Sequence, residues 1–229
     1  MMKVMNIKRK RVMILFIEAA EKMLRESGLA SVSIRKVASE VGYNSATLYN
    51  YFEDLEHLIL FASVRYLREY VASLQKALTN DMSAYDKYRA IYRCFNAYAF
   101  KEPEIFHNMF FGKHSDLLGD VLRTYYQELF PQELQGLSPK MKQMLQLGTM
   151  YERDAIMMRE LIAEGYLTDA NAANAIETII ALHQYYLHEA MIAESRSDSK
   201  QSYLAELAPH FTEKFREKFL YIMEGSRGR

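Results

Sequence analysis

Cysteine, glycine and proline are scarce in this sequence. Its 229 residues include one cysteine, nine glycines and four prolines. The single thiol, Cys94, excludes an internal disulfide, and no CxxC pair or Cys/His array is present to build a structural zinc site. Few helix breakers beside abundant Ala, Leu, Met, Glu and Lys favour helices over a β-sandwich or barrel. The composition therefore predicts an all-α protein in a reducing cytoplasm.

Long apolar runs are also missing, and none approaches the length that spans a bilayer. The start "MMKVMNIKRKRVMILFIEAA" has the basic-then-apolar order of a signal peptide. Glu18 interrupts the apolar run, however, and the helical period continues with no clear cleavage site. We therefore interpret this segment as a basic arm followed by the first helix, and we expect no membrane partner.

The motifs of common enzymes are absent as well. No GxGxxG or GxxxxGKS phosphate loop occurs, and "HNMFFGKH" lacks the His/Glu spacing of a helical metal site. Cys94 and His107 are too far apart in sequence to indicate a nucleophile and its base. We expect neither catalysis nor a cofactor nor a metal.

The formal net charge of zero hides an asymmetry. Residues 1–52 hold nine Lys or Arg against four Glu, a balance of +5, so the remaining residues carry −5. A basic N-terminal region on an acidic body is suited to a polyanion bound at one end, although charge alone does not exclude a chance imbalance.

The N-terminal region has the pattern of a helix-turn-helix. An amphipathic helix over about 8–27 is followed by Ser33, which can cap a second short helix, and Gly42 stands in the turn before a third. Asn44 can cap that third helix, "SATLYNYF". Three short helices with this spacing predict a DNA-binding module over residues 1–53.

Residues 54–229 read as helices throughout, and we assign them to one effector-binding and dimerisation domain. The predicted helices are 55–79, 83–100, 103–112, 115–130, 139–164, 169–195 and 200–223. No flexible linker separates the two regions, so the fourth helix, which begins after Asp54, belongs physically to both.

The segment "GLASVSIRKVASEVGYNSATLYNYFEDLEHLIL", residues 28–60, resembles the DNA-binding segment of the TetR family of transcriptional regulators. The matching positions are Gly28, Ser33, Val37, Ala38, Gly42, Thr47, Leu48, Tyr49, Phe52 and Leu58. The resemblance implies a dimeric repressor that a small, largely apolar effector releases from double-stranded operator DNA. It departs from the family at Leu55, where a lysine is usual, and at Tyr51, where histidine is common.

By this resemblance, the residues that contact DNA lie on the third helix, at the start of the second and on the basic arm. They are Lys10, Arg11, Ser33, Arg35, Lys36, Asn44, Ser45, Ala46, Thr47, Tyr49 and Tyr51. Residues 43–52 contain no Arg or Lys, so base readout rests on residues 44–47 or on DNA shape. By the same resemblance, Tyr49 and Tyr51 donate their hydroxyls to the DNA backbone while their rings pack on the module's core. The apolar Leu48 and Phe52, four positions apart, are expected to face inward. For Tyr43 we expect packing rather than DNA contact.

Aromatic and methionine residues of the body are candidates for an apolar effector pocket. They are Arg93, Phe95, Tyr98, Phe106, Met109, Phe110, Tyr126, Met150, Tyr151 and Met157. Most of the aromatic and methionine side chains of this region must be ordinary core. Four side chains could anchor a polar ligand group: Arg93, His107, Arg153 and His183.

Two apolar stripes on the last two long helices are candidates for a homodimer interface. They contain Ile176, Ile180, His183, Leu187, Phe211, Phe215 and Phe219. Periodicity leaves open whether these side chains meet a partner or pack on their own body. An alternative interpretation of the whole chain is a helical ligand-binding or interaction protein whose helix-turn-helix lacks operator specificity. Two features support this alternative: Leu55 and the absence of basic residues on the third helix.

Overall fold

A computed structural model describes residues 5–227, and within them the regular structure is helical. The α-helices of this range are α1 (Ile7–Ser27), α2 (Ile34–Glu40), α3 (Ser45–Leu48), α4 (Leu55–Ala77), α5 (Ala84–Ala99), α6 (Pro103–Phe111), α7 (Leu118–Arg123), α8 (Pro139–Leu145), α9 (Met150–Ala163), α10 (Asp169–Arg196) and α11 (Lys200–Gly225). The predicted all-α fold is confirmed. None of these helices is both long enough and apolar enough to cross a membrane.

Polar caps set the beginnings of the first four helices. The side chains of Asn6, Ser33, Asn44 and Asp54 each accept a hydrogen bond from a backbone N–H in the first turn of α1, α2, α3 and α4. The caps at Ser33, Asn44 and Asp54 lie where the sequence predicts them.

The long helix α4 connects the N-terminal module to the body. One part of it packs on α1, and other parts pack on α5, α6, α7 and α8. Its side chains Leu58, Val64, Leu67 and Leu74 are fully buried in a single core that runs through both regions. Burial of this kind fixes α4 to both sides at once, so a shift of α4 must be felt by the module and the body together.

The predicted helix 139–164 is wrong as a single element, because it is divided into α8 and α9. A Cβ at Gly148 would lie 2.8 Å from the Cα of Gly119, so this chain crossing requires glycine. Thr149 then starts α9 with a capping box, in which Glu152 accepts hydrogen bonds from the backbone N–H groups of Gly148 and Thr149.

The predicted helix 115–130 also differs in detail. It consists of a 3₁₀ turn (Ser115–Leu117), α7, and a π-helical segment (Thr124–Leu129). Tyr125 and Tyr126 are buried side by side in the π-helical segment. A wider helical turn accommodates two consecutive rings that both face the core.

The last two helices pack against each other, and their predicted dimer stripe largely faces inward. Five of its seven side chains are buried in the chain's own core: Ile176, His183, Leu187, Phe215 and Phe219. Ile180 and Phe211 are half-buried. The prediction is therefore corrected for the five buried residues, because apolar periodicity marks the face that packs on the body.

Candidate DNA interface and ligand cavity

The two short helices α2 and α3 form the predicted helix-turn-helix. Gly42, in the turn between them, has a φ of +73°, a backbone conformation that residues with a Cβ rarely adopt. Leu48 and Phe52 are 0% and 2% exposed, and the ring of Phe52 lies edge-on to Phe16 and Phe61. The inward-facing pair that the sequence predicts thus anchors α3 to α1 and α4.

The third helix is shorter than predicted. Regular α-helix ends at Leu48, and the chain continues to Phe52 through hydrogen bonds from the Asn50 and Tyr51 N–H groups to the Thr47 and Leu48 carbonyls. This tighter final turn leaves Tyr49 56% exposed. Its ring therefore does not pack on the module's core as the family resemblance implies.

Asn44 and Thr47 form a fixed pair at the start of α3. The Asn44 Oδ1 accepts hydrogen bonds from the Thr47 backbone N–H and from the Thr47 hydroxyl, both at 2.9 Å. Within this pair, the Asn44 amide nitrogen remains available as a donor and the Thr47 oxygen as an acceptor. Ala46 is exposed beside them, and Ser45 is half-buried.

Tyr43 and Tyr51 pack on α1. The ring centroid of Phe16 lies 5.7 Å from that of Tyr43 and 6.2 Å from that of Tyr51. Arg9 lies 5.1 Å above the Tyr51 ring and donates a hydrogen bond to the Asn50 carbonyl at 2.8 Å. Arg9 therefore holds the end of α3 against α1, a contact that sequence periodicity gave no means to find.

The basic side chains of α2 and of the start of α1 have different partners, and Lys10 and Arg11, which the sequence placed on an arm, lie within α1. Arg11 and Arg35 are exposed, and Lys36 is exposed with its Nζ 3.0 Å from the Ser31 carbonyl oxygen. Lys10 forms an ion pair with Glu128 of the body. The prediction of Lys10 as a DNA contact therefore competes with an intramolecular partner.

The start of α4 is less acidic than its sequence indicates. Lys113 and His114, from the loop after α6, contact the carboxylate of Asp54 at 2.5 Å and 2.8 Å. Partial burial raises the pKa of Asp54, but the hydrogen bonds from Lys113 and His114 outweigh this and hold that pKa well below its usual range. This end of the module is thereby attached to the body.

A second attachment joins α1 to the body through α4. The buried carboxylate of Glu21 accepts hydrogen bonds from Arg25 at 2.9 Å and from Arg65 at 2.6 Å. Arg65 also lies 3.5 Å from Glu133, beyond α7. These partly buried ion pairs connect α1, α4 and the segment after α7.

The body contains a small cavity of about 30 Å³ between α4, α5, α8 and α9. Its lining residues are Tyr70, Ile91, Tyr92, Phe95, Met144, Met150, Arg153, Asp154 and Met157. Phe95, Met150 and Met157 are the members predicted for an effector pocket. Tyr70, Tyr92 and Asp154 escaped prediction because their sequence pattern is that of ordinary helical core.

The remaining predicted pocket residues lie elsewhere. Tyr151 is 47% exposed on the outer face of α9, so the prediction is wrong for this residue. Phe106, Met109 and Tyr126 are buried core, and Tyr98 and Phe110 are half-buried. Phe110 remains near the cavity, because the Arg153 guanidinium lies 5.7 Å from its ring centroid.

Arg153 and Asp154 are the charged side chains of the small cavity. Burial lowers the pKa of Arg153 to about 10, which leaves it a cation at neutral pH. Burial raises the pKa of Asp154 to about 7, although a hydrogen bond from the Tyr92 hydroxyl at 2.5 Å opposes that rise. Near neutrality the site therefore carries one positive charge and a carboxyl close to its titration midpoint.

A larger groove of about 550 Å³ runs between α5 and α11. Arg93 lies here, with Arg89, Asn96 and Arg216, rather than in the small cavity. Tyr92 belongs to the wall of both spaces. The ring of Tyr92 is therefore the partition between an open basic groove and the buried Arg153.

The two candidate histidines differ in setting. His183 is fully buried among Tyr92, Phe95 and Phe215, and burial lowers its pKa to about 3. His107 is half-buried, and burial lowers its pKa too. In residues 5–227 no His, Cys, Asp and Glu side chains group in a way that would hold a metal ion.

Comparisons with known proteins agree with this geometry. The family described as "Bacterial regulatory proteins, tetR family" matches residues 16–60. The FadR repressor of Thermus thermophilus, a TetR-family protein solved with lauroyl-CoA, has a TM-score of 0.55 at 16% identity, covering 96% of both chains. A TetR-family regulator from Pectobacterium atrosepticum has a TM-score of 0.54 at 16% identity, covering 98% of both chains. No curated protein matches the sequence.

Proposed function

We propose that this protein is a ligand-responsive DNA-binding transcriptional regulator, because residues 16–60 match the family model of TetR regulators and the all-helical fold is similar to that of solved TetR-family proteins. The observation that carries the proposal is the helix-turn-helix fixed to α4, with Arg11 of α1 and Arg35 of α2 exposed. In this proposal it acts as a repressor that an effector releases from operator DNA.

The third helix would enter the major groove, since it is the second helix of the motif. The proposed contacts to bases and phosphates are Ser33, Arg35, Lys36, Asn44, Ser45, Ala46, Thr47, Tyr49 and Tyr51, with Arg11 on α1. The exposed Tyr49 hydroxyl and the free Asn44 amide support this set. Short polar groups position the module on phosphates and read few bases, so DNA shape contributes to specificity.

A homodimer would place two modules on half-sites about 34–36 Å apart. We propose that the outer faces of α10 and α11 form the interface, because Tyr185 and Tyr221 are 57% and 78% exposed there. Exposed rings on neighbouring helices are suited to burial against a second copy. An effector that favours another spacing of the modules by a few kcal/mol would release the DNA.

The ion pairs across α4 support this coupling. Helix α8, which contributes Met144 to the small cavity, packs directly on α4. Asp54, at the start of α4, is held by Lys113 and His114 of the body. Displacement of α8 by a ligand would therefore act on the helix that carries the module. The Thermus thermophilus protein of similar fold was solved in complex with lauroyl-CoA.

Selection of bound sequences from a random duplex pool tests the proposal. We expect an enriched near-palindrome bound at about 10⁻⁸ M or tighter, with affinity that falls steeply with salt. Thr47→Ala and Tyr49→Phe should weaken that binding, whereas Tyr151→Phe, on an exposed tyrosine of α9, should not. Binding no tighter than about 10⁻⁶ M and without enrichment would contradict the proposal and favour a ligand-binding protein without operator specificity.

A further inference from the structure

The Arg153 side chain is buried without a partner charge. Its residue is 8% exposed, and no carboxylate oxygen of the described residues lies within 4.0 Å of its guanidinium nitrogens. Two of these nitrogens, Nε and one terminal nitrogen, have no hydrogen-bond partner. The other terminal nitrogen donates to the Leu147 carbonyl at 2.5 Å. A buried cation with spare donors is costly unless something pairs with it.

Apart from Asp154, the side chains that line the cavity with Arg153 are aromatic, aliphatic or thioether groups. Met144, Met150 and Met157 line the cavity with the rings of Tyr70 and Phe95. Methionine side chains change shape at little cost, so a cavity of about 30 Å³ can enlarge around a small guest. The combination is an aromatic and thioether pocket around one unsatisfied fork of N–H donors.

We propose that this cavity binds a small organic acid, whose apolar part lies among the methionines and rings and whose carboxylate accepts hydrogen bonds from Arg153. The inference rests on the proposed function in taking this cavity as the effector site, and it specifies the ligand as an anion. A planar guanidinium matches a carboxylate with two parallel hydrogen bonds, which is why arginine suits this class of ligand.

The same contact links the ligand to α8. Leu147 lies in the connection between α8 and α9, and its carbonyl is held by Arg153. A carboxylate that draws the guanidinium toward the cavity loosens that hold. Helix α8 then loses its fixed position relative to α9. Because α8 packs on α4, this change reaches α4 as well.

Direct binding of three matched probes tests the proposal without DNA. Phenylacetate, phenylacetamide and phenethylamine share a benzyl group and differ in charge, and calorimetry with the purified full chain measures each affinity. We expect phenylacetate to bind about ten-fold or more tightly than the neutral amide, because hydrogen bonds between charged groups are the stronger ones. We expect the amine to bind most weakly.

Variants assign the preference to Arg153. Arg153→Met should remove the preference for phenylacetate over phenylacetamide, and Arg153→Lys should keep part of it. Arg159→Met, on an exposed arginine of the same helix, should leave it unchanged. A thermal melt of each variant shows whether it is folded, and the comparison of two ligands on one folded variant does not depend on its stability.

Three results would overturn the proposal. They are equal affinity for acid and amide, undiminished acid preference in Arg153→Met, and binding of none of the probes by the wild-type chain. Tightest binding of the amine would assign the cavity to cations through Asp154 instead. The selection of DNA sequences tests the proposed function independently of the probes. If the protein binds a specific operator but no organic acid, only the inference about the cavity is rejected.

Discussion

Two buried charged side chains, Glu21 in the N-terminal module and Arg153 in the body, differ in whether they form ion pairs. Glu21 is 5% exposed and is paired with Arg25 and Arg65, whereas Arg153 is 8% exposed and has no carboxylate partner. Among the described residues, every buried side-chain polar atom without a partner lies beyond residue 53, on Tyr88, Asn96, Tyr126, Glu133, Arg153 and His183. Glu21 of the module is paired in part by Arg65 of α4, whereas the body keeps buried polar groups that a guest can satisfy.

The largest change in stability is expected when an aromatic ring is removed from the core of the N-terminal module. Phe52 is 2% exposed and packs on Phe16 and on Phe61 of α4. Phe52→Ala should lower the free energy of unfolding by about 3–5 kcal/mol, because it leaves a cavity in close-packed core. Urea unfolding followed by circular dichroism measures the loss, and Leu15→Ala, at an exposed position of α1, serves as the control.

The same unfolding curve shows how separate the two regions are. Since one core runs through both, Phe52→Ala should shift a single transition rather than create an early one for the module. A distinct early transition with an unchanged main one would break the comparison, because the module would then be an independent folding unit.

The second test concerns the body, at the buried carboxyl of Asp154. Its pKa in the folded protein is about 7, above the ordinary value of 3.8, so the folded state binds the proton more tightly. Stability from this group is present below pH 4 and is lost as the pH rises toward 7. Asp154→Asn should therefore gain stability relative to the wild type by roughly 2–3 kcal/mol between pH 5 and pH 8.

The difference between variant and wild type is the quantity to measure, because buried His183 acts in the opposite direction. Its pKa is lowered to about 3, so its contribution to stability rises with pH up to about 6.5 and is common to both proteins. Tyr92, Tyr88 and Arg153 also face Asp154 but keep their charge state between pH 5 and 8. Asp81→Asn, at an exposed carboxyl whose pKa is lowered by a hydrogen bond from Thr79, should show no such change over this range. A constant gap for Asp154→Asn would mean that its carboxyl titrates normally.

The contrast also explains what the sequence could predict. The caps at Ser33, Asn44 and Asp54 and the inward pair Leu48 and Phe52 depend on residues a few positions apart, so local pattern was sufficient. The family model matches this same stretch, residues 16–60.

The body was predictable only as a set of helices. Lys113 reaches Asp54 across 59 positions, and the break before α9 depends on the approach of Gly148 to Gly119. Apolar periodicity identified Phe215 and Phe219 as important but could not distinguish packing on the body from packing on a partner. For Arg153, sequence offered a possible ligand anchor, and its burial without a partner is a property of the tertiary structure.

A third test separates stability from surface action in the module, at Asn44. Its Oδ1 caps α3 by accepting from the Thr47 N–H at 2.9 Å. Asn44→Ala should lower the free energy of unfolding by about 1 kcal/mol, since the cap is lost. Asn44→Asp keeps the acceptor, so its stability should stay within about 0.5 kcal/mol of the wild type.

On operator DNA the two Asn44 variants should both be weak. Asn44→Asp loses the free amide donors and adds a negative charge near phosphates, so its affinity should fall although its fold is intact. Filter binding at fixed salt measures this. Unchanged affinity in Asn44→Asp would show that Asn44 acts only as a cap.

The smallest expected effect distinguishes two basic residues that look alike in sequence. Arg35 is exposed on α2 and forms no ion pair among the described residues, whereas Lys10 is paired with Glu128. Each phosphate contact contributes about 0.9 to the slope of log affinity against log salt concentration, so Arg35→Ala should reduce that slope by about 0.9. Lys10→Ala should leave the slope nearly unchanged, because the ammonium already has a carboxylate partner. An equal reduction in both variants would mean that the Lys10–Glu128 pair opens when DNA binds, so that Lys10 itself contacts a phosphate.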